Sequence, residues 1–103
     1  GAVCSDIALA IHRHQVDNGM ADFSYHRPAH GQGTFGVGHQ PPFIALGDYS
    51  VIEEHMTFSM EPGLYDAASG IGINPSDNLR VAAAKGVRFS SIPFSKEWSF
   101  LTL

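Results

Sequence analysis

The sequence predicts an α+β fold in which an antiparallel sheet is backed by at least one helix. Three observations carry this reading. A helical period of apolar residues runs over positions 4–19, a period-two alternation covers 55–60, and two short runs at 78–83 and 87–92 flank a Lys85-Gly86 turn. At 103 residues the chain has room for one hydrophobic core and no second one.

In the first element Val3, Ile7, Ala10, Ile11 and His14 recur at steps of three and four, so one stripe of the helix is expected to face the core. Cys4 or Ser5 starts it, and Asn18-Gly19 stops it by offering a residue able to adopt positive φ. Residues 25–42 are crowded with glycine and proline and read as loop and short strand. Glycine at that density lets backbone approach another group closely, and His26, His30 and His39 are interleaved with it.

The alternation Met56, Phe58, Met60 predicts a strand with those side chains in the core and Thr57 and Ser59 on the other face. It runs into Glu61-Pro62-Gly63. The runs at 78–83 and 87–92 are expected to pair as a hairpin. Phe94, Trp98, Phe100 and Leu101 read as an apolar lid on the core, and no internal repeat or low-complexity linker is present.

Composition removes several function classes. The formal net charge is −4 and the six Lys and Arg are dispersed, so the basic footprint that nucleic acid requires is absent. With 44% apolar residues and no long unbroken apolar run, no membrane-spanning segment is expected. Cys4 is the only cysteine, which excludes an internal disulfide and a cysteine-based metal cage and fits a reducing, cytoplasmic setting. The first twenty residues lack the pattern of a signal peptide, and Gly1 in place of Met suggests a trimmed or truncated start.

The residues able to carry chemistry are His26, His30, His39, Glu61 and Asp77, since imidazole and carboxylate are the usual ligands of hydrolytic Zn, Mn, Fe or Co. Such ions lower the pKa of water and polarise a carbonyl, while a neighbouring carboxylate takes the proton. Histidines in glycine-rich loops are also commonly hydrogen-bonded turn residues, and spacing alone does not choose between the two.

A resemblance bears on that choice. The segments HRPAHGQG at 26–33, HQPP at 39–42 and MTFSMEPGLY at 56–65 are, in this order, similar to the second half of the pita-bread metallopeptidases. That family includes methionine aminopeptidase, aminopeptidase P, prolidase and creatinase. Its pattern runs H-R-x-G-H-G-x-G, H-E-x-P, S-x-E-P-G-x-Y and a final carboxylate. The N-terminal segment resembles its G-x-x-C-x-x-[ID] helix.

The resemblance implies residues 1–103 as a single partial catalytic domain, the C-terminal half of a pita-bread domain with a curved sheet. It implies a divalent metal (Mn, Co, Zn or Fe), or none in this chain alone, held by His30 and Glu61. Glu61 also matches the group assigned as general base, and His26 and His39 match histidines that contact substrate and steady the tetrahedral intermediate. The implied activity is hydrolysis of an amide bond in an Xaa-Pro peptide or a small amide by metal-activated water. The rivals are a small-molecule hydrolase or lyase on this scaffold and a non-catalytic remnant acting through association.

Departures from the pattern are specific. Asn74-Pro75-Ser76-Asp77 stands where the family closes with R-x-E-D, which makes Asp77 either a ligand from the neighbouring position or a supporting acid. Ala29 and Gln40 replace a usual glycine and glutamate, and the spacing from His30 to His39 is two residues longer than the family's. Two further aspartates belong upstream of the histidine loop. Asp6 and Asp17, on the predicted helix, are not expected to replace them, so the chain is expected to be inactive alone and to form a homo-oligomer or dock with an N-terminal half.

Overall fold

The computed structural model describes residues 1–33 and 38–92. The predicted lid, Phe94 to Leu101, lies outside the described residues. Helix α1 (Cys4–Asp17) is followed by a single 3-10 turn (Ala21–Phe23) and by seven strands. These are β1 (Ala29–Gly31), β2 (Gln40–Ile44), β3 (Thr57–Met60), β4 (Leu64–Asp66), β5 (Ile71–Ile73), β6 (Asp77–Val81) and β7 (Gly86–Arg88). Five form an antiparallel sheet in the order β2-β1-β3-β6-β7, and β4 and β5 form a separate hairpin.

Helix α1 begins at Cys4, but its N-cap Val3 has no side chain able to accept from the first amides. A neighbouring turn supplies the acceptors instead: Cys4 N–H donates to the Ser50 carbonyl at 3.0 Å and Ser5 N–H to the Asp48 carbonyl at 2.8 Å. The Asp48 carboxylate in turn accepts from the amides of Phe43 and Ser50, which fixes that turn and ties it to β2. At the other end Gly19 adopts φ 67°, the conformation expected of a helix stop. The face turned inward is Cys4, Ala8, Ile7 and Ile11, whereas Ala10 and His14 are exposed and drop out of the predicted stripe.

The core lies between α1 and one face of the sheet, with Cys4, Ala8, Ala29, Ile44, Ile52 and Phe58 buried together. Residues directly opposite across antiparallel strands share a face. Ala29 opposite Ile44 and Met60, and Phe58 opposite Leu79, therefore belong to the helix-bearing face. His30 opposite Ser59 and Phe43 belongs to the other face, which is where the cleft described below is found.

Three elements differ from expectation. Strand β3 starts at Thr57 because His55, at φ 75°, belongs to the preceding turn, where Met56 N–H donates to the Glu53 carbonyl. The hairpin is present as β6 and β7; β6 starts one residue earlier and ends two earlier than expected, and β7 covers 86–88 rather than 87–92, with Ala82 N–H donating to the Lys85 carbonyl across the turn. The β4-β5 hairpin was not foreseen. Gly70 turns it at φ 72°, and Tyr65 lies across the strand from Gly72.

Candidate metal centre

His30 occupies the middle of β1 and is 6% exposed, held between Ser59 and Phe43 on the flanking strands. Glu61 follows β3 on the same face as Ser59, two residues on, and its amide donates to the Pro28 carbonyl at 2.6 Å, closing the exit of β3 against the entry to β1. The two side chains meet with His30 Nε2 3.2 Å from Glu61 Oε1, although 31 residues separate them in sequence. The Ser59 hydroxyl donates to the same oxygen at 2.7 Å.

That arrangement fixes the state of the imidazole. His30 Nδ1 lies 2.9 Å from the Gly31 carbonyl, an acceptor, so Nδ1 carries the proton. In neutral imidazole Nε2 is then a lone pair facing a carboxylate oxygen, which is unfavourable unless a proton or a cation stands between them. Protonation gives an imidazolium–carboxylate pair; a metal ion gives two of its ligands. Ligand atoms about 2.0–2.2 Å from one ion lie roughly 2.9–3.4 Å apart at angles between octahedral and tetrahedral, and the observed separation is within that interval. The donor set fits a divalent metal.

The Ser59 hydroxyl, first, lowers the Glu61 pKa; burial opposes it, and the His30 hydrogen bond and then the charges of His30 and His39 add to the lowering, so the group is an anion at neutral pH. His39 stands just before β2 with φ 26°. Its ring approaches that of His30 edge-on, the centroids 4.4 Å apart. One ring nitrogen from each of His30 and His39 and one Glu61 oxygen lie within 4.8 Å of one another, which among the described residues is the one cluster of this kind.

The pairing of β1 with β2 is interrupted beyond His39, whereas positions 34–37 of the lengthened histidine loop lie outside the described residues. The register of β1 against β2 passes from His30↔Phe43 to Gly31↔Gln40, so Pro41 and Pro42 bulge out of the ladder. Proline has no N–H to contribute there, which makes this the least costly place for the bulge.

His26 lines the same cleft of about 530 Å³, together with Arg27, His30, His39, Ala45 and Glu61. Its Nδ1 donates to the Arg27 carbonyl at 2.8 Å, and its Nε2 faces the Tyr65 hydroxyl at 3.1 Å. Gly63 makes this possible, since a Cβ there would stand 2.6 Å from the Tyr65 hydroxyl and 2.7 Å from His26 Nε2. Tyr65 and Arg27, the latter stacked 3.8 Å over the ring of Phe43, are cleft groups that the sequence reading passed over. Both lay inside the quoted motifs, but neither residue type announces a role without a neighbour to act on.

Asp77, expected as a ligand or as a supporting acid, is not brought to the cluster. It stands opposite Met60, on the helix-bearing face, and its Oδ2 accepts from Arg88 Nε at 2.5 Å.

The interior strands β1 and β3 thus bring histidine and carboxylate to one open cleft, and the chain is an α+β portion of the pita-bread fold. The description of metallopeptidase family M24 matches residues 1–91, and the chain belongs to that family. It is 37% identical over 65 residues to an Xaa-Pro dipeptidase of Lactobacillus delbrueckii subsp. lactis, covering 63% of this chain and 17% of that protein. A probable dipeptidase PepE of Mycobacterium bovis is 32% identical over the same share of each. Among solved structures, dipeptidase PepE from Mycobacterium ulcerans superimposes with a TM-score of 0.81 at 27% identity, covering 90% of this chain and 24% of that one. An Xaa-Pro dipeptidase from Bacillus anthracis, at 21% identity and TM-score 0.83 over 92% of this chain and 26% of its own, shares the fold. The chain thus spans about a sixth to a quarter of the relatives it matches. Among the described residues no helix is long and apolar enough to cross a membrane.

Proposed function

We propose that residues 1–103 are a single partial catalytic domain of a metal-dependent hydrolase acting on the amide bond of Xaa-Pro dipeptides, in a cytoplasmic setting. The observation that carries this is the 3.2 Å approach of His30 Nε2 to Glu61 Oε1 with the other ring nitrogen committed to a carbonyl. A divalent ion held by these two residues would supply polarisation of the carbonyl and acidification of water.

This chain's residues do the rest. Glu61, kept anionic by Ser59, accepts the proton of the attacking water. A substrate carbonyl entering between His26 and Tyr65 would free the Tyr65 hydroxyl, now donated to His26 Nε2, to donate to the carbonyl oxygen as charge develops on it. Arg27, held flat against Phe43, places a positive charge on the cleft wall where a peptide carboxylate can pair with it. Asp77 supports β6 through Arg88 in this reading rather than binding metal.

The test is metal content and substrate contact in the purified chain. Equilibration with Mn(II), Co(II) or Zn(II) should leave near-stoichiometric metal that His30→Ala loses. An Xaa-Pro dipeptide should shift the His26 ring resonances of the metal-loaded chain. A chain that retains no metal, or whose His26 signals ignore the dipeptide, would overturn the proposal. Response to small amides in place of dipeptides would favour a small-molecule enzyme on this scaffold. We further propose that the chain self-associates or docks with an N-terminal half. An apolar cavity of about 620 Å³ beside α1, lined by Ile44, Phe58, Met60, Leu79 and Val81, supports this, and a clean monomer at high concentration in sedimentation would count against it.

A further inference from the structure

We propose that the cavity between α1 and residues 24–28 is a second ligand site, taking a small apolar molecule that ends in a hydroxyl group. It is separate from the metal-site reading above and stands on different side chains.

The cavity has a volume of about 330 Å³ and is walled by α1, the 3-10 turn, the segment entering β1 and the turn after β2. Its walls are mostly apolar, from Ala8, Ile11, Ala21, Pro28, Ala45 and Leu46. Three of these are alanines, whose short side chains leave unfilled the space that larger ones would close. An apolar cavity of about 150 Å³ is enough for benzene, so this one has room for a substituted ring. His12 and Tyr25, both exposed, stand at its rim and leave it open to solvent.

The polar end sets the chemistry of the occupant. Gln15 Nε2 donates to the Ser24 hydroxyl oxygen at 3.3 Å, and both side chains line the cavity. Within the described residues this leaves the Gln15 carbonyl oxygen without a donor and the Ser24 hydroxyl proton without an acceptor. An acceptor beside a donor is answered by a hydroxyl group, which donates to Gln15 Oε1 and accepts from Ser24. A carboxylate could only accept, and an ammonium could only donate, so a neutral head is selected.

The site also adjoins the cleft. His26, Arg27 and Ala45 line both cavities, so residues 26 and 27 form the partition between them. Segment 24–28 is tied at one end by Gln15 to Ser24 and at the other by the Glu61 amide to the Pro28 carbonyl. Between those ties it spans the cavity, and a molecule seated beneath it bears directly on the partition.

Titration of the isotope-labelled 103-residue chain with p-cresol, followed by NMR, tests the site. Saturable shifts are expected at the Ala8, Ala45 and Leu46 methyls, the Gln15 side-chain amide and the His26 ring. Toluene, the same molecule without the hydroxyl, should bind about tenfold more weakly, the net effect of one or two hydrogen bonds. Gln15→Ala should weaken p-cresol by a similar factor and leave toluene unchanged, and α1 should persist because alanine is the better helix former. Ala21→Leu, at a half-buried wall position, should exclude both molecules with an unchanged circular dichroism spectrum. Equal binding of p-cresol and toluene, or wild-type affinity for p-cresol in Gln15→Ala, would refute the hydroxyl assignment. Shifts that never saturate, or that fall instead at Phe58, Leu79 and Val81, would remove the site altogether. No metal is added, so neither result bears on the His30–Glu61 centre.

Discussion

The side chain that most sharply tunes the cleft is Ser59, which touches no substrate in this reading. Its hydroxyl is the first cause of the lowered Glu61 pKa, ahead of the two histidines. A carboxylate with a depressed folded-state pKa adds stability above its ordinary value of 4.5, and that contribution is lost as pH falls through the depressed value. Ser59→Ala should therefore raise the Glu61 midpoint toward the ordinary value, as read by carboxyl resonances, lower the stability at neutral pH and reduce its acid dependence. Gly63 sets a second residue-scale constraint. Gly63→Ala should force the His26–Tyr65 pair apart, visible as a changed His26 ring shift. The convergence of His30 with Glu61 was not legible from a spacing of 31 residues; it came from the order of motifs, and the register explains it by setting His30 opposite Ser59.

Among the elements, α1 depends on a turn remote in sequence. The Asp48 carboxylate lies below its usual pKa because it accepts from the Ser50 hydroxyl and the Ser50 and Phe43 amides. Its support of the helix start is present above the ordinary carboxylate range and is withdrawn as pH drops through the depressed value. Asp48→Ala should lower the melting temperature at neutral pH and reduce its acid dependence, with amide exchange rising first at residues 4–6. The helix itself, β3 and the β6-β7 hairpin could be read from periodicity because each has enough residues to show it. β4 and β5 could not, since three residues each, with Ile71 and Ile73 exposed, give no period to detect. The place of Asp77 was illegible for a different reason: moving a strand by one residue exchanges its two faces, and only the pairing of β6 with β3 decides that Asp77 sits beside Met60.

At the scale of the molecule, a small core makes single residues count. Phe58, 2% exposed between α1 and the sheet, should cost about 3–5 kcal/mol when replaced by alanine, a large part of the roughly 5–15 kcal/mol that a domain commands. Denaturant unfolding of Phe58→Ala checks this, and a loss under 1 kcal/mol would mean that the core is elsewhere. Cys4 offers an independent probe, since burial pushes its thiol pKa up and it has no exposed surface. Its alkylation should be slow in the native chain and should accelerate in parallel with global unfolding. The two-proline bulge acts at this scale too. Pro41 and Pro42 present no amide hydrogen along the outer rim of β2, and the Phe43 amide is already taken by Asp48. Another strand arriving at that margin would find nothing donating to it across residues 41–43, which makes this stretch of the rim a poor template for sideways growth into fibres.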